Sequence, residues 1–131
     1  MAEANLGYSL LCDDVRLEVG NKLSLMGVFQ NVFLPVFPAT VVKFAVVNHW
    51  QGQGEFETQV TVLDPHRNET VVSTPGSFSI APQGHADNIT FFTNVTFSQA
   101  GTYTVQIYLS GALVSESPLF VHQVQDAGPV N

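Results

Sequence analysis

Apolar and polar residues alternate with a period of two along most of the chain. The alternation comes in short runs rich in Val, Thr and Phe, broken by clusters of Gly, Pro, Asn and Asp. Successive side chains on a strand point to opposite faces, so this pattern predicts half-buried β-strands. Residues 6–12 form the first predicted strand, and Val15-Arg16-Leu17-Glu18-Val19 alternates cleanly after it. A three-residue Gly20-Asn21-Lys22 loop then pairs Val19 with Leu23 and Leu17 with Leu25, which keeps the apolar set on one face. Phe29, Phe33 and Phe37 lie four apart, a helical spacing, but the intervening Val28, Val32 and Val36 and the breaks at Pro35 and Pro38 predict an extended edge or crossover instead.

Residues 41–50 are almost continuously apolar and read as a strand buried on both faces. Gln51-Gly52-Gln53-Gly54 reads as a turn, and residues 55–63 as a strand with Phe56, Thr58, Val60 and Val62 inward. Asp64-Pro65-His66-Arg67-Asn68 is a turn in which Pro presets a dihedral and the Asx side chains bond local backbone. Short strands at residues 70–73 and 78–80 flank Pro75-Gly76. Residues 89–97 give another, and the alternating Tyr103, Val105, Ile107 and Leu109 another still, closed by Ser110-Gly111 onto residues 112–121. The count is eight or nine strands, with turn signals roughly every 8 to 12 residues, the spacing of an all-β sandwich.

At Phe97-Ser98-Gln99-Ala100-Gly101-Thr102-Tyr103-Thr104-Val105 the sequence resembles the corner before the penultimate strand of immunoglobulin-like sandwiches. The resemblance implies that the Tyr103 hydroxyl bonds back to the preceding connection. Leu11-Cys12-Asp13-Asp14-Val15-Arg16-Leu17-Glu18, Lys22-Leu23-Ser24-Leu25-Met26-Gly27-Val28-Phe29, the Val62-Leu63-Asp64-Pro65 turn and the Gly101-x-Tyr103 hairpin are together similar to a family of small uncharacterised bacterial β-sandwich proteins. That likeness implies a fold and a bacterial or phage-like origin, and no activity. The expected architecture is a single immunoglobulin-like antiparallel β-sandwich of about eight strands over residues 1–123, with residues 124–131 a disordered tail.

Composition narrows the function. The chain has 131 residues, 45% hydrophobic but only 11% charged, against roughly 25% charged in average soluble chains. Intrinsic disorder is excluded, since it needs low hydrophobicity and dense charge. The net charge is −7, and the only four basic residues, Arg16, Lys22, Lys43 and Arg67, are far apart. No basic footprint exists for nucleic acid or for an anionic membrane surface. The longest apolar runs fall short of the ~18 residues of a membrane span. Residues 1–11 lack the basic region of a secretory signal, and the single Cys12 cannot form an internal disulfide, so a cytoplasmic location is expected. Three glycosylation acceptor patterns, at Asn68, Asn88 and Asn94, then read as strand-favouring Thr beside polar Asn.

Candidate chemistry is sparse. Asp13-Asp14 is the one adjacent acidic pair. Two adjacent acids could serve a calcium site or acid/base work. Neighbouring strand residues face opposite sides, however, and Asp before an apolar run commonly caps a turn. A structural use is therefore expected, with one Asp accepting from backbone N–H groups and Arg16 pairing with the other or with Glu18. His49, His66, His85 and His122 have no zinc-ligand spacing and Cys12 no Cys partner, so neither a metal nor a cofactor is expected. No nucleophile motif is present, and no enzyme is expected. Two functions follow. The first is a non-catalytic interaction or structural module that self-associates through the aromatic stretch of Phe29, Phe33 and Phe37, because an apolar edge must be covered or paired. The alternative is a small-ligand or carbohydrate-binding sandwich using His49, Trp50, Gln51 and Gln53, where an aromatic, a titratable group and flexible backbone converge. Against it, Trp50 equally suits a core anchor whose N–H is satisfied at the strand end.

Overall fold

One strand organises the protein. In the computed structural model, which describes residues 2–125, β4 (Ala39–Leu63) runs for 25 residues and has neighbours along both edges. Its first half pairs with β1 (Glu3–Glu18), and its second half pairs on the same side with β7 (Gly101–Leu109). Its other edge pairs with β6 (Gly76–Phe97) from Ala39 to Thr58, then with β5 (Glu69–Val72). β2 (Lys22–Phe29) adds to β1 and β8 (Ala112–Gln123) to β7, while β3 (Asn31–Leu34) closes onto β8.

The expected turn at residues 51–54 does not form. β4 passes through it without reversing, because Gly52 (φ +150°) and Gly54 (φ +120°) take backbone conformations that favour glycine. The backbone of Glu3 crosses so close to Gly52 that a Cβ there would strike its carbonyl oxygen. Opposite the bend, β6 carries three residues between Ile80 and Gly84 where β4 has only Gln53 between Gly52 and Gly54, an irregularity that bends a strand and adds twist. The predicted strands at 78–80 and 89–97 are therefore two ends of one.

The all-β expectation holds. The eight strands form one mixed sheet, curled into a half-barrel. The antiparallel expectation is corrected at one place, since β3 pairs parallel with β8. The chain passes from β2 into β3 at Gln30 and crosses to the far end of the sheet, the crossover expected from Pro35 and Pro38. The β1–β2 hairpin is shifted from the expected register. Leu17 pairs with Leu23 and Glu18 with Lys22, so the loop is Val19-Gly20-Asn21. Gly20 (φ +87°) and Asn21 (φ +59°) both occupy the left-handed region, which places the reversal there and leaves Val19 exposed.

The concave face encloses the core: Phe44, Val46, Trp50, Val60 and Val62 of β4, with Phe92, Phe97, Tyr103, Val105, Ile107, Leu119 and Val121. A smaller cluster forms on the opposite face, where Val15, Leu23 and Leu25 of the β1–β2 hairpin pack over Cys12, Ala45 and Val47. Two local expectations are met atom by atom. The Tyr103 hydroxyl donates to Gln99 O at 2.8 Å, and Asp64 Oδ1 accepts from the backbone N–H of His66 and Asn68 at 2.8 and 2.9 Å. Of the expected tail, Val124 N donates to Leu34 O at 3.0 Å, and residues 126–131 lie outside the described residues.

Three carboxyls are held below their ordinary range by hydrogen bonds: Asp64 by the Asn68 and His66 backbone, Asp14 by Lys43 and the Val15 N–H, and Glu116 by Gln106 and Arg67. In acid the folded chain then binds fewer protons at these groups than the unfolded chain does. Their stabilisation is complete above the unfolded values near 4 and is lost as pH falls through the lower folded ones. Urea unfolding midpoints are expected to drop steeply below about pH 4, with a shallower drop in Asp64→Asn; an unchanged slope in that variant contradicts the assignment.

Candidate functional site

Strands β1, β4 and β6 lie side by side, and their register places two rows back to back. Ser9, Asn48 and Asn88 stand opposite one another, and one position along so do Tyr8, His49 and Asp87. Adjacent strand residues face opposite sides, so the first row belongs to the face of Trp50 and Val46, and the second to the outer face of Val47 and Ala45.

On the core face Trp50 is fully buried. Its Nε1–H donates to Asn88 Oδ1 at 2.6 Å and its ring stacks on Phe78 at 5.6 Å. It is a core anchor with a satisfied N–H. Asn48 beside it is also fully buried, and neither of its amide atoms has a protein hydrogen-bond partner.

The outer row is the cluster of interest. His49 Nδ1 lies 2.6 Å from Asp87 Oδ1, and His49 Nε2 lies 3.2 Å from His85 Nδ1. Tyr8 stacks on the His49 ring, centroids 5.0 Å apart and planes at 7°. Gly7 makes this stack possible in two ways. It sits at the register shift between Leu6 and Tyr8, and a Cβ there would press on His49 Cδ2 at 3.2 Å. Burial, and then the Asp87 carboxylate, push the Tyr8 phenol above its ordinary value. His49 and Asp87 side chains are 25% and 35% exposed, so solvent reaches the chain of groups.

The hydrogen bonds fix the chemistry. An ionised carboxylate only accepts, so His49 Nδ1–H is the donor to Asp87, and the contact between His49 Nε2 and His85 Nδ1 needs one proton shared between those two nitrogens. Among the described residues no hydroxyl or thiol is hydrogen-bonded to either ring, so the geometry supplies no triad nucleophile. Nor is any group of three or more His, Cys, Asp and Glu among them placed to hold a metal ion.

The other candidates fall elsewhere. Gln51 is exposed and stands opposite His85, and Gln53 borders an open cleft of about 530 Å³ with Glu55, Ser79 and Pro82. Phe29 and Phe37 pack against the core, and only Phe33 is exposed, at 61%. Asp14 takes Lys43 as its partner at 2.8 Å in place of the expected Arg16. Cys12 is buried, and burial raises its thiol pKa ahead of the neighbouring Asp13 and Asp14. His66 lies in the Asp64 turn, and His122 stacks on Phe33 and bonds Asn31. Neither His85 nor Asp87 stands out in the sequence as a partner of His49. The His85-Ala86-Asp87 spacing puts both on one strand face, but nothing local shows that His49, 36 residues away, lies beside them.

Fold and cluster together define an all-β protein that carries a polar aromatic patch on the outer face of its sheet. The chain belongs to the Family of unknown function (DUF6941), which matches residues 7–122. Among solved structures it is similar to β-glucosidase from Listeria innocua in complex with isofagomine, at 10% identity and a TM-score of 0.58, over 94% of this chain and 17% of that one. The same enzyme in complex with glucose gives 10% identity and a TM-score of 0.56, over 95% of this chain and 16% of that one. This chain thus spans only 16–17% of those enzymes, and the likeness is one of fold. No curated protein matches.

Replacing Asn88 with Ala strands the buried Trp50 N–H. The expected loss is about 1–3 kcal/mol in urea unfolding, with a shift in Trp50 fluorescence; a loss within error would show that the bond carries no weight.

Proposed function

We propose that this protein is a non-catalytic β-sandwich interaction module that associates with copies of itself through β3. The observation that carries the reading is Phe33, 61% exposed on a four-residue strand at the end of the hydrogen-bonded path. Val36 is 62% exposed nearby, and Phe120 stands two ladder positions away on β8, opposite Asn31. Charged side chains usually protect such edges, yet no charged residue occurs between Lys22 and Lys43. Lys43 is itself committed to Asp14 and lies over the Phe91 ring. Phe29 and Phe37, turned into the core, support the strand from behind.

The immunoglobulin-like sandwich remains our reading of the curled sheet, supported by the Tyr103 corner and by the way the bent β4 brings its own two halves around one core. A cytoplasmic, bacterial setting is part of the same reading. It is supported by the unpaired, buried Cys12 and by the sequence resemblance, and fractionation of the source cell tests it. The alternative small-ligand function no longer has Trp50 as a contact and rests on the exposed side of His49.

Sedimentation velocity is expected to show concentration-dependent association of the full chain and a monomer for Phe33→Glu with an unchanged far-UV spectrum. A strictly monomeric wild type at high concentration would overturn the proposal.

A further inference from the structure

Independently of self-association, we propose that His49 Nε2 and His85 Nδ1 form a two-nitrogen site for a first-row divalent transition-metal ion, with Asp87 as the carboxylate that orients His49. Two imidazole nitrogens bound to one tetrahedral zinc at 2.0–2.1 Å lie about 3.3 Å from each other. The two nitrogens here are 3.2 Å apart, so they already stand at ligand-to-ligand separation. With no metal bound, one of them must carry a proton for the pair to be in contact; metal binding releases that proton, and the His85 ring, stacked at 28° to His49, turns so that both lone pairs meet the ion.

The surroundings match what a ligating histidine requires. Its other ring nitrogen commonly donates to a carboxylate, which fixes the tautomer and raises ligand basicity. His49 Nδ1 meets Asp87 Oδ1 at 2.6 Å in just that role. The Tyr8 ring holds the His49 plane from β1, so His49 arrives pre-oriented from the middle strand of three. His85 is exposed on β6, where its torsions can adjust the second nitrogen. No further His, Cys, Asp or Glu joins them as a third ligand among the described residues, which leaves the remaining coordination positions to water or an exogenous donor. Such an open site takes an ion that favours imidazole, Zn²⁺, Cu²⁺ or Ni²⁺, and passes over Mg²⁺, which prefers oxygen.

The test is calorimetric titration of the full chain with Zn²⁺ alone, with Mg²⁺ as the contrast. One Zn²⁺ per chain is expected at sub-millimolar concentration, with no Mg²⁺ heat. His85→Ala, at an exposed position, is expected to abolish saturable binding, as is His49→Ala. Asp87→Asn keeps both nitrogens and is expected to weaken binding 10- to 100-fold. His66→Ala and His122→Ala are expected to bind as the parent does, and Phe33→Glu likewise, which separates this site from the association surface. Unchanged Trp50 emission certifies the fold of each variant. Absence of saturable Zn²⁺ binding, or binding that survives His85→Ala, overturns the proposal.

Discussion

The bend in β4 at Gly52 to Gly54 is the constraint on which the structure depends. A strand of 25 residues that stayed straight could not turn Phe44, Val46 and Trp50 toward Val60 and Val62; bent in its middle, it supplies both walls of one core. β6 follows the same bend by inserting residues 81–83, so the ribbon keeps its pairing on both sides of it and leaves few backbone groups unpaired. Glu3 of β1 lies against Gly52, and a side chain at that position would push β1 off the ribbon. The Trp50–Asn88 hydrogen bond ties the two strands together two residues before the bend.

The same register makes both faces. Pairing has a period of two, so a slip of one residue between β1, β4 and β6 would turn His49 inward and Trp50 outward. The core row of Ser9, Asn48 and Asn88 and the outer row of Tyr8, His49 and Asp87 are thus one structural fact seen from two sides. Asn48, on the core row, is fully buried with no protein partner for its amide. The outer row is left uncovered because the β1–β2 hairpin reaches only as far as Cys12, Ala45 and Val47.

Much of this was legible in the sequence wherever the cause was local. The period-two pattern located the strands, Asp64 and Pro65 located a turn, and the Gly101-x-Tyr103 spacing located a corner whose hydrogen bond the structure contains. The failures share a different cause. Gln51-Gly52-Gln53-Gly54 carries every local sign of a turn, and only the passage of β1 and the excess length of β6 keep it extended. The hairpin register was missed by two residues because the left-handed conformations fall at Gly20 and Asn21 with Val19 before them. His49 was singled out for its neighbour Trp50, which faces the other way; its working partners come from β6, and pairing across 36 residues leaves no mark on composition or spacing.

His49 locked between Asp87 and His85 requires the bend, the register and the outer-row geometry all at once. Long-range ¹H–¹⁵N correlation of the histidine rings, in mildly alkaline solution without metal, reads this directly. A single His49 tautomer is expected, with the proton on Nδ1 and a bare Nε2, while the solvent-exposed His66 averages between forms. A His49 protonated on Nε2, or averaging as His66 does, would contradict it.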